Sequence, residues 1–125
     1  MYATQMQAYR KAPNAEMSER EIDAYALTQS ALKLRDCQHN WELPDRIGRV
    51  FEALRINSLL WSIFQAQISE DGNPLPRQLR EDMLTLSLFV DKQTRDVMFS
   101  PEPDKLTALI NINLNIAAGL RGAPA

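Results

Sequence analysis

Residues 109–116 read LININLNI, with an apolar side chain at every second place and asparagines between them. Taken alone, that is the period of a half-buried β-strand. A strand must pair its backbone donors and acceptors with a neighbour, and no other stretch of the chain shows a convincing period of two. Wound as a helix, at about 100° per residue, the segment gathers Leu106, Leu109, Ile110, Leu114, Ile116, Ala117 and Leu120 into one arc. Asn111 and Asn115 then fall outside, Ile112 sits at the edge, and only Asn113 lies within. Prolines just before the segment favour a helix start, and Gly119 reads as a C-cap signal. A helix is therefore expected over Leu106 to Leu120, and the chain loses its one candidate strand.

The remaining start and stop signals are helical as well. TQMQ, with Thr4 as N-cap and Gln7 reaching back, suggests a short N-terminal helix carrying Met6 and Tyr9 before Pro13. In MSERE, Ser18 and Glu21 fit a capping box and Met17 and Ile22 a hydrophobic staple, opening a helix that runs to about Gln38. Lys33 and Arg35, toward its C-terminal end, suit the helix dipole. Pro44 is read as the first residue of a long helix that ends before Gly72, a candidate for a left-handed turn. Ile47, Val50, Phe51, Leu54, Trp61, Phe64 and Ile68 form one stripe on it, and Asn57 sits within that stripe. Ile56, Leu59, Leu60 and Ile63 fall nearly opposite. Pro76 is expected to open a fourth helix with Leu79, Met83, Leu86, Val90 and Val97 on one face and Leu84 and Leu88 on another; SPEP at 100–103 stops it.

The expected architecture is all-α: a small bundle of four main helices plus a short N-terminal helix, in one domain over 1–125, with 1–16 able to fray and 121–125 as a tail. At this length a chain removes about two-thirds of its unfolded surface from water, enough for a real core. Asn57 and Asn113, if buried, need hydrogen-bond partners there and read as residues that set helix register.

Chemistry is sparse. Cys37 and His39 are one residue apart, but they are the only cysteine and the only histidine, too few for a structural zinc site. Acid pairs such as Glu19/Glu21 and Glu81/Asp82 lie near helix starts, where carboxylates suit the dipole. With no phosphate loop or nucleophile elbow, neither an enzyme nor a bound cofactor or metal is expected. The net charge of −2 gives no basic field for nucleic acid, and no apolar run is long enough for a bilayer, so a cytoplasmic location is expected. What stands out is surplus apolar helix surface. Either neighbouring helices cover the second stripe of the long helix, or it is a groove for a partner helix, shielded in the free state by Met6 and Tyr9.

The segments YRKA, REIDAYALTQSALKL, ALRINSLLW, GNPLPRQLREDMLTLSLFV and LININLNIAAGL, in this order and spacing, together resemble the FlaF family, flagellar biosynthesis regulators of α-proteobacteria. Asn57 with Trp61, the run Asn73-Pro74-Leu75-Pro76, and Asn113 with Gly119-Leu120 carry most of the likeness. Leu114 departs from it, since a polar or basic residue is more usual there. The resemblance implies a cytoplasmic protein that binds flagellin as an export chaperone and promotes its synthesis or secretion, alongside FlbT. On that reading the partner-binding residues are Ile56, Leu59, Leu60 and Ile63, with Leu84, Leu88, Met6 and Tyr9 as secondary choices. The alternative is a post-transcriptional regulator acting on flagellin messenger RNA, directly or through FlbT, with Arg46, Arg49 and Arg55 as its cations.

Overall fold

The computed structural model describes residues 17–122, so the expected N-terminal helix, with Met6 and Tyr9, lies outside the described residues. Four α-helices are present: α1 (Glu19–His39), α2 (Arg46–Ile68), α3 (Arg77–Phe99) and α4 (Leu106–Gly122), the last preceded by one 3₁₀ turn, Pro103–Lys105. No strand occurs among the described residues. LININLNI is helical, with Leu109, Ile110, Asn113 and Ile116 buried and Asn111 and Asn115 exposed.

Ser18 caps α1 as expected, with Glu21 reaching back to its hydroxyl rather than to its backbone N–H. The hydroxyl oxygen of Ser18 accepts from the backbone N–H of Glu21 at 3.2 Å and donates to the Glu21 carboxylate at 3.2 Å. Two starts shift by a residue or two: Pro44 precedes the N-cap Asp45 of α2, and Pro76 is the N-cap of α3 rather than its first helical residue. Gly72 does turn left-handed, at φ 79°, but in the loop beyond the Ser69 C-cap. Asn73 builds that loop, because its side chain donates to Gln67 O at 3.0 Å and accepts from the Leu75 N–H at 3.0 Å.

Gly119 is not a cap. The helix runs through it to Gly122, and a Cβ at Gly119 would stand 3.4 Å from the Leu79 side chain.

α1 and α4 pack along most of their length, α2 lies against both α1 and α3, and α3 touches α4 only lightly. The core comprises Leu27 and Leu34 of α1, Leu54, Leu60, Trp61 and Phe64 of α2, Met83 and Val90 of α3, and Leu106 and Leu109 of α4. Trp61 and Phe64 meet edge to face, ring centres 6.2 Å apart.

Both expected core asparagines are fully buried. The Trp61 indole N–H donates to Asn113 Oδ1 at 2.9 Å; Asn113 Nδ2 donates to Asn57 Oδ1 at 2.7 Å and to Leu27 O at 3.3 Å. Ser30 Oγ donates to the same Asn57 oxygen at 2.9 Å. An indole can only donate, so Asn113 must turn its oxygen to Trp61 and its nitrogen to Asn57. Asn57 must then offer oxygen, and its own Nδ2 is left buried without a partner. Three helices are thereby locked in one register.

Candidate partner-binding groove

The buried residues of α2 recur at Val50, Leu54, Asn57, Trp61, Phe64 and Ile68, and those of α3 at Met83, Ser87, Val90, Thr94 and Val97. Steps alternating between three and four are those of a coiled-coil seam. Phe64, Ile68 and Met83 line one cleft and Leu54 and Thr94 another, so the two helices run antiparallel with Leu54 near Thr94.

Outside this seam lies a groove of about 430 Å³. Phe51, Leu54, Arg55, Ser58, Leu59 and Ser62 of α2 form one wall, Thr94 and Met98 of α3 the other. The two serines, with Ser62 Oγ donating to Ser58 O at 2.9 Å, keep the α2 wall low enough for another backbone to come near. On the side of α3 that carries Met98, one step round from the buried stripe, follow Leu84, Leu88, Asp91 and Arg95. Leu88 is 66 % exposed, Met98 47 % and Phe99, at the end of the helix, 90 %. Arg55 stands at the rim, bonded twice to Glu52 at 2.7 and 3.0 Å, and that guanidinium holds the exposed Glu52 carboxyl below its ordinary range.

The residues expected to meet a partner divide. Leu59 lines the groove, Leu88 is exposed on α3, and Leu84 is half-buried against the core. Leu60 is buried at 2 %, inside the core, and offers no surface in this conformation. Ile63 packs half-buried against the core and Ile56 is half-buried; both lie with Leu60 on the flank of α2 away from the groove. Sequence reasoning missed Phe51, which it placed in the core stripe, and Met98 and Phe99. The signal for the last two was present: in VMF at 97–99 three successive apolar residues wrap the helix, and one stripe can bury only one of them.

A larger cleft, about 770 Å³, lies at the end of the bundle where α1 begins and the α2–α3 loop returns, ringed by Glu19, Glu21, Asp23, Glu70 and Asp71 with Arg20 and Arg121. Among the described residues no three His, Cys, Asp or Glu converge as metal ligands. Cys37 is buried and His39 exposed, so the pair does not act together.

The family model described as flagellar protein FlaF matches residues 5–120. The chain belongs to the FlaF family. The matched range runs from before α1 to Leu120 near the end of α4, across the asparagine–tryptophan network and the loop held by Asn73. No curated protein and no solved structure matches the chain. No helix among the described residues is long and apolar enough to cross a membrane.

Proposed function

We propose that this FlaF protein binds flagellin in the cytoplasm, holding the helical terminal segments of the unassembled subunit and delivering them for export, and thereby promotes flagellin synthesis and secretion. The observation that carries the reading is the apolar groove between α2 and α3, with Phe51, Leu59 and Met98 in its walls; Leu88 and Phe99 add exposed apolar surface elsewhere on α3. An amphipathic helix laid there would bury several large side chains at about 1.5–3 kcal/mol each, less the cost of ordering, which suffices for a dissociation constant of about 1 µM. Direct action on messenger RNA has less behind it, because two of its three candidate cations are already paired, Arg49 with Asp36 at 2.6 Å and Arg55 with Glu52. Titrating purified flagellin into this protein in a calorimeter, with co-elution on a sizing column, tests the proposal. A saturable heat and a joint peak are expected; neither heat nor co-elution would refute it.

A further inference from the structure

Side-chain hydrogen bonds tie three of the four helices together across the core, through Ser30 and the Leu27 carbonyl of α1, Asn57 and Trp61 of α2, and Asn113 of α4. At the surface Arg49 joins Asp36, and Arg121 donates to Thr28 at 3.3 Å. α3 stands outside this network. Its buried Ser87 donates back to its own Leu84 carbonyl at 2.7 Å, and the hydroxyl of its buried Thr94 has no partner. Among the described residues no side chain of α3 hydrogen-bonds α1, α2 or α4. Its links outside the helix reach only the adjoining connections: Arg80 to Leu75 O, and Gln93 and Asp96 to Lys105.

The seam itself is light. Met83, Ser87, Val90, Thr94 and Val97, the residues α3 fully buries, include no Leu, Ile or aromatic residue; its leucines Leu79, Leu84 and Leu86 are only half-buried against the core, whereas α1 and α4 fully bury five leucines between them, at 27, 34, 106, 109 and 120. A hydroxyl buried without a partner lowers the cost of opening further, because water restores its hydrogen bond as soon as the seam parts.

We propose that α3 opens from the α1–α2–α4 unit as a separate step, below the free energy of global unfolding, and that this opening lets the groove widen around a partner helix. The loop at Gly72 and the non-helical stretch 100–102 flank α3 and provide its pivots. The second half of the proposal rests on the binding function; the first does not.

Hydrogen exchange read by mass spectrometry on the full chain, without partner, tests it. Amides in the middle of α3 are expected to exchange at least about tenfold faster than the slowest in α1 and α4. Ile116→Val, a mild loss in α4, is expected to speed those slow amides several-fold and leave α3 unchanged. Thr94→Val, the same shape without the hydroxyl, is expected to slow α3 about tenfold. An α3 as protected as α1 and α4, and accelerated by Ile116→Val, would mean that it opens only with the whole molecule and would overturn the proposal. So would a Thr94→Val variant whose α3 exchanges at the original rate. Flagellin bound by a protein whose α3 opens only globally would defeat this inference alone, and an independently opening α3 with no flagellin binding would defeat the functional reading alone.

Discussion

Asn113 illustrates how one residue acts through what it leaves behind. Asn113→Ala strands the Trp61 indole N–H in the core and takes from Asn57 one of the two donors its oxygen accepts. A buried donor without a partner costs about 1–3 kcal/mol, and the vacated volume adds to it, so a loss of about 3 kcal/mol is expected in urea unfolding followed by tryptophan emission. Asn111→Ala, two residues away on the exposed face, should change stability by less than about 0.5 kcal/mol. Equal effects would mean that the network contributes nothing. At Gly119 the sign reverses. The 3.4 Å to the Leu79 side chain is ordinary contact for a methyl group, and alanine relieves the helix of glycine's backbone entropy. Gly119→Ala should therefore add about 0.5–1 kcal/mol and raise the melting temperature by a few degrees in a calorimetric scan.

At the scale of the helix, α3 separates stability from binding. Its buried stripe faces inward, while Leu88 and Phe99 project from it and are mostly in water already. The double variant Leu88→Asp with Phe99→Ser should leave the melting temperature within about 2 °C, since exposed substitutions rarely exceed about 0.5 kcal/mol. Flagellin affinity should fall at least about tenfold in the same calorimetric titration, because each side chain would otherwise be buried against the client helix. Ile63→Ala, half-buried on the opposite flank of α2, should lower stability and leave affinity nearly intact. A reversal of these two outcomes would move the site to the stripe first expected from the sequence.

At the scale of the whole molecule, pH reports on the bundle through its one cysteine. Cys37 is only 5 % exposed, and burial pushes its thiol above the ordinary value of 9.0, with the Arg49 guanidinium partly opposing. The unfolded chain then loses this proton first, so the folded state holds more protons and stability declines as pH rises past about 9, by at most about 1.4 kcal/mol per pH unit; below that the thiol contributes no slope. Cys37→Ala should flatten the decline above about pH 9 in chemical denaturation, relative to the unaltered protein, while other alkaline groups act equally in both. The sequence determined the helices and most of the core by itself: Ser18 with Glu21, the prolines, and the spacing around Asn57 and Asn113 are local signals, and a helix is made by local hydrogen bonds. Which surplus apolar face stays in water was beyond its reach. Leu60 and Leu59 are neighbours with the same side chain, yet one is core and the other lines a groove, because that choice belongs to the helices packed on either side. Gly119 is equally a matter of context, a cap by its place in the chain and a mid-helix residue in contact range of Leu79 in the fold, since the helix runs on past it to Gly122.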